Sequence, residues 1–168
     1  MDGEYKVTWA SGIVYVGAVK NNKLEGQGVM TFAQGNIAEI KGVWRADELE
    51  RCELLTMKNG ATATNYNPKK GRLTGPGTVK VGVSTYVGTW DENGKLNGHV
   101  SIENDNGQGK FTGAFKDNQR EGDGHYIWPN GQGEYTGLFQ NGLRHTAPNG
   151  ADATMIWRTG DTEHKYIG

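Results

Sequence analysis

The chain has 168 residues, of which 35% are hydrophobic and 27 are glycine, more than twice the ordinary glycine share. So little aliphatic volume excludes a thick two-layer core, while 10% aromatic residues exclude a purely solvating, disordered chain. Eighteen basic and nineteen acidic residues, for a net charge of −1, give no electrostatic ground for nucleic-acid binding. No apolar run approaches the roughly 18 residues of a membrane span. The opening Met1-Asp2-Gly3-Glu4 lacks the basic-then-apolar order of a secretory leader. The single cysteine, Cys52, forms no internal disulfide, and a cytoplasmic location is expected.

Taken from the N-terminus, three short patterns recur in one order. A large residue followed three positions on by glycine comes first, as Trp9…Gly12. Then comes a strand with two large residues flanking a glycine, Tyr15-Val16-Gly17-Ala18-Val19, and the turn formers Lys20-Asn21-Asn22. A glycine pair, Gly26-Gln27-Gly28, follows nine residues after the central glycine. Phe32…Gly35 and Ile40-Lys41-Gly42-Val43-Trp44 start the next round, which then degrades: Arg51 and Glu53 stand where the glycine pair is due. Met57…Gly60 leads to Thr64-Asn65-Tyr66 where a central glycine is missing, and then to Gly75-Pro76-Gly77. Tyr86-Val87-Gly88-Thr89-Trp90 and Phe111-Thr112-Gly113-Ala114-Phe115 restore the pattern, the second with Gly122-Asp123-Gly124 and Trp128…Gly131. Tyr135-Thr136-Gly137-Leu138-Phe139 is followed by Thr146 and Pro148 in place of the pair, then Trp157…Gly160 and a last start at Tyr166-Ile167-Gly168.

Alternation of large and small residues places these patterns on β-strands, with each ring and its glycine on one face. Asn93-Gly94, Pro129-Asn130-Gly131 and Asn141-Gly142 punctuate them as hairpin turns. The fold expected is all-β: an elongated, single-layer antiparallel sheet of tandem hairpins. Large rings lying across glycines of the neighbouring strand would cover the backbone. About seven repeats fill residues 1–168 as one domain, starting and ending mid-repeat and degenerate at about 43–66 and 143–160.

These residues resemble the MORN repeat (membrane occupation and recognition nexus), whose pattern is Tyr-x-Gly-x-Trp, a short turn, Gly-x-Gly and a strand closed by glycine. The best copies are residues 15–35, 86–98 and 111–131. The resemblance implies arrays that serve lipid association, partner docking, dimerisation or as appendages of enzymes.

The candidate surface is the aromatic stripe, and Trp44, Tyr86, Trp90, Phe115, Tyr126, Trp128 and Phe139 are the expected partner-binding residues. The competing reading is that these rings merely hold the sheet together. A groove of this kind would receive an amphipathic helix or an extended peptide. The final Tyr166-Ile167-Gly168 would leave an open edge strand for pairing with a second copy. Lys69, Lys70 and Arg72 form the one tight basic cluster, a candidate for anionic phospholipid head groups and otherwise a solvated hairpin tip. The charged stretch Arg45–Leu55 reads either as a decayed strand or as a short helical turn spacing Leu49, Cys52 and Leu55. His99, His125, His145 and His164 show no metal-ligand spacing, and the glycine pairs precede no helix that could cradle a phosphate. Neither a cofactor nor a metal nor a catalytic residue is expected. The function expected is a non-catalytic scaffold for a protein partner, with a peripheral membrane module as the second reading.

Overall fold

The structure, a computed structural model, describes residues 2–67, 69–145 and 153–167, the Asn106 side chain excepted. Pro68, Thr146, Pro148, Gly150 and the closing Gly168 therefore lie outside the described residues. Contacts divide the chain into two compact units, Met1–Gly82 and Val83–Gly168.

In the first unit, strands β1 (Gly3–Thr8), β2 (Val14–Lys20), β3 (Lys23–Thr31), β4 (Ile37–Arg45) and β5 (Glu48–Met57) form an antiparallel meander. The short β6 (Thr62–Ala63) and then β9 (Gly75–Val81) continue it. The stretch from Glu48 to Met57 is strand throughout, so the decayed-repeat reading of this charged segment holds. One local departure from the expected single layer occurs. After β6 the chain leaves the ladder at Asn65, whose φ of 59° no regular strand accommodates. It forms a separate hairpin of β7 (Tyr66–Asn67) and β8 (Arg72–Leu73), which lays Tyr66 and Leu73 against the apolar cluster around Cys52 and Leu55.

The second unit repeats the meander with β10 (Ser84–Trp90), β11 (Leu96–Asn104), β12 (Lys110–Lys116), β13 (Gln119–Ile127) and β14 (Gly133–Gln140). Both β15 (Leu143–His145) and β16 (Thr154–Thr159) pair with β14, and β17 (Thr162–Ile167) pairs with β16.

Two glycines of each pair do different jobs. Opposite the central Gly17 the ladder runs Gly17↔Gly28 and then jumps to Val19↔Leu24, leaving two extra residues on β3. Gly113↔Gly124 followed by Phe115↔Arg120 repeats the jump. The first glycine of the pair sits inside this bulge with positive φ, 83° at Gly26 and 94° at Gly122, where a Cβ is strained. The second glycine makes room for a ring. A methyl group added at Gly28 would fall on the Tyr15 ring, and one at Gly124 would lie 2.8 Å from Phe111 Cε2. Tyr15 is 0% and Phe111 1% exposed as a result. Each ring also meets the ring of the next repeat edge to face, Tyr15 with Trp44 at 5.2 Å and Phe111 with Phe139 at 5.2 Å. The Tyr15 hydroxyl donates to the Ala18 carbonyl at 3.0 Å, and Tyr135 makes the same bond to Leu138 at 3.0 Å. Burial pushes the phenols of Tyr15 and Tyr135 up, which keeps them protonated as donors.

In the repeat after Gly42 the second glycine and the ring have changed together. Cys52 stands opposite Gly42 where Gly28 stands opposite Gly17, and the ring position is taken by the smaller Ile40. Without the positive-φ glycine, the two extra residues are spread as two single bulges, at Glu53 and at Glu50. In β10 and β11 the register places Val100 beside Gly88, and a methyl at Gly88 would meet Val100 Cγ2 at 3.0 Å. Val100 is wholly buried, whereas the Tyr86 ring is only half-buried. The turn before it is one residue longer than its neighbours, which hid Val100 from a search at the usual spacing. Across from Gly137 the register brings Ala153, whose Cβ lies 3.1 Å from a methyl built on that glycine. The position sought at Pro148 is thus held by Ala153.

Successive hairpin tips are clamped to each other by one recurring device. The turns Asn21-Asn22, Ala46-Asp47, Asp117-Asn118 and Asn141-Gly142 all carry two residues of positive φ, the type I′ geometry that suits strand twist. The first N–H of the later turns is bonded by a side chain of the preceding hairpin: Ala46 by Glu25 at 3.0 Å, Asp117 by Asn97 at 2.9 Å, Asn141 by Glu121 at 2.9 Å. Asp47 and Asn118 return side-chain bonds to the Leu24 and Leu96 amides at 2.8 and 2.7 Å. Ala46 is the misfit, an alanine at φ 51°. Ala46→Gly removes that strain and keeps the bond to Glu25, so a gain of about 1 kcal/mol is expected. A thermal midpoint that rises by a few degrees would show it, and a fall would show that the alanine methyl contributes packing instead.

Candidate functional site

The aromatic face of the second unit is built from one cross-strand row per repeat position. Phe111, Tyr126 and Tyr135 stand side by side on β12, β13 and β14, since Phe111 pairs with Tyr126 and Tyr126 with Tyr135. Trp128 follows Tyr126 and meets it edge to face at 5.6 Å. The opposite face is polar: Lys110 pairs with Glu103 at 3.1 Å and His125 bonds Glu134 at 2.8 Å.

One position on the aromatic face changes its chemistry along the chain. The residue that leaves each turn and pairs with the last ring or aliphatic of the preceding strand is leucine in three copies: Leu24 with Val19, Leu49 with Trp44 and Leu96 with Trp90. In the next two copies it is arginine, Arg120 with Phe115 and Arg144 with Phe139. Both guanidinium groups lie over rings. Arg120 Cζ is 4.8 Å from the Phe111 ring centre and 5.4 Å from that of Tyr126. Arg144 Cζ is 5.2 Å from Trp128 and 5.8 Å from Tyr135. No carboxylate is paired with either arginine among the described residues.

Together Arg120, Tyr126, Trp128, Phe139, Leu143 and Arg144 line a concavity of about 220 Å³. Arg144 also borders a second, of about 320 Å³, with Tyr135, Met155 and Tyr166.

The seven ring positions singled out in the sequence divide in two. Trp44, Trp90, Phe115 and Phe139 are buried and belong to the packing of the sheets. Tyr86, Tyr126 and Trp128 are half-buried and keep exposed area. The basic cluster sits on the β7–β8 hairpin. Lys69 Nζ lies 3.7 Å from a Glu48 carboxylate oxygen, and Arg72 Nε donates to the Lys70 carbonyl at 3.2 Å. Beside it, Leu49, Glu50, Arg51, Cys52, Tyr66 and Lys69 contribute to a concavity of about 510 Å³ whose rim carries both signs of charge. Burial pushes the Cys52 thiol up, consistent with a packing residue at the position of a lost glycine. Tyr166 and Ile167, on β17, are exposed.

Residues 15–37, 111–133 and 135–145 match the model of the MORN repeat. MORN repeats are present at these three segments. No curated protein sequence matches it. The matched MORN segments include the two best ring-on-glycine copies, Tyr15 with Gly28 and Phe111 with Gly124. Sequence reading missed Arg120 and Arg144. Their signal was there: each stands five residues after the last ring of its MORN strand, where Leu24 and Leu49 stand five after Val19 and Trp44.

Proposed function

We propose that this MORN array is a non-catalytic scaffold that binds a protein partner across the aromatic face of its second unit. The observation that carries the reading is the concavity lined by Arg120 and Arg144, where Tyr126 and Trp128 are only half-buried. Apolar area left uncovered next to two cationic groups is the composition of a protein-binding patch, in which aromatic residues and arginine dominate. The phospholipid reading has weaker support, because Lys69 faces Glu48 and a solvated pair adds little at a membrane surface.

A photo-crosslinking residue placed at Tyr166, exposed on the aromatic face in register with Met155 and Tyr135, tests this, with Thr112, exposed on the opposite face, as the control. Crosslinking to a protein of the source cell at position 166, absent at position 112 and lost with Tyr126→Ala plus Trp128→Ala, is the expected result. Crosslinking that is equal at both positions removes the assignment of face. Sedimentation with phosphatidylserine vesicles, without any protein crosslink, would put the membrane reading ahead.

A further inference from the structure

Resting on that scaffold reading, we propose that the partner segment is acidic, and that its carboxylates are received by the N–H edges of Arg120 and Arg144. The substitution pattern is the first ground. Leucine at the turn-exit position completes an apolar core, as Leu24 and Leu96 do while buried. Packing alone therefore gives no reason to prefer arginine there in two consecutive copies. The second ground is the way the guanidiniums are held. Each lies over two rings, and neither is paired with a carboxylate of the described residues; Arg144 Nη1 donates only to the soft Met155 Sδ, at 3.8 Å. A guanidinium held over rings can take a carboxylate in two parallel hydrogen bonds at less entropic cost than a free arginine.

The setting selects among anions. Arg120 and Arg144 belong to β13 and β15, the neighbours of β14 on either side, so their backbones are two strand spacings apart, roughly 10 Å. Two charges carried on separate strands suit separate side-chain carboxylates on one segment, with Tyr126 and Trp128 lining the same concavity.

The test is fluorescence anisotropy of the full chain with three labelled peptides of equal length, alternating leucine with glutamate, with glutamine or with lysine. The glutamate peptide is expected to bind at least about tenfold more tightly than the glutamine one, as two charge-assisted pairs imply, and the lysine peptide not at all. Arg120→Leu plus Arg144→Leu restores the residue of the other copies and is expected to abolish that preference with folding intact. Arg120→Gln plus Arg144→Gln serves the same purpose should the leucine form aggregate. Equal binding of the glutamate and glutamine peptides, joint absence of binding included, overturns the proposal, as does a preference that survives both arginine variants. Displacement of the glutamate peptide by phosphatidylserine vesicles or oligothymidylate at matched charge also overturns it. If the preference is absent while position 166 still crosslinks to protein, the acidic assignment falls and the scaffold stands.

Discussion

Gly124→Val is expected to destabilise the second unit by about 3 kcal/mol, the upper part of the range for overpacking a filled site. Both neighbours of an added Cβ are rings, Phe111 Cε2 at 2.8 Å and Phe139 Cε2 at 2.9 Å, and each is held by its edge-to-face partner. The ring is the obstacle, not the backbone, since Gly124 lacks the positive φ of Gly122. The first unit shows how such a change is absorbed. There the glycine position is Cys52 and the ring position is Ile40, and both are buried. Transplanting that pair as Phe111→Ile plus Gly124→Cys is therefore expected to cost less than the two single changes together, by at least about 1 kcal/mol. Urea unfolding followed by tryptophan fluorescence measures all four forms. Strict additivity would show that ring and glycine are not spatial complements.

Tyr15→Ala and Tyr86→Ala alter the same repeat position and are expected to differ widely. Tyr15 is fully buried, lies over Gly28, meets Trp44 and bonds the Ala18 carbonyl at 3.0 Å. Its removal leaves a cavity and an unpaired acceptor, at a cost of about 3–5 kcal/mol. Tyr86 is half-buried because Val100 fills the space beside Gly88 that its ring would need. Loss of its partly covered ring is expected to cost about 1 kcal/mol. Thermal unfolding of both variants decides between this account and one in which the repeat position alone sets the cost, which predicts equal losses.

The repeat was legible in the sequence because its constraints are local and periodic. Alternation puts Tyr15, Gly17 and Val19 on one face, and asparagine, aspartate and glycine mark the positive-φ turns. From these alone come the strands, the hairpins and the rule that a ring needs a glycine across from it. Pairing register, by contrast, depends on how many residues a turn and a bulge consume. That is why the roles of Val100, Cys52 and Ala153 emerged only in three dimensions: one longer turn or a split bulge shifts the partner without changing the composition. Burial of the rings was equally illegible, since a Trp44 against Tyr15 and a Trp128 beside Arg144 look alike as letters. Sequence by itself determined that this chain is a ladder of ring-and-glycine hairpins. Only the tertiary structure decided which rings are core and which remain open, because that depends on what the register brings beside each ring: Gly28 lets Tyr15 lie fully covered, whereas Val100 takes the space that the Tyr86 ring would need.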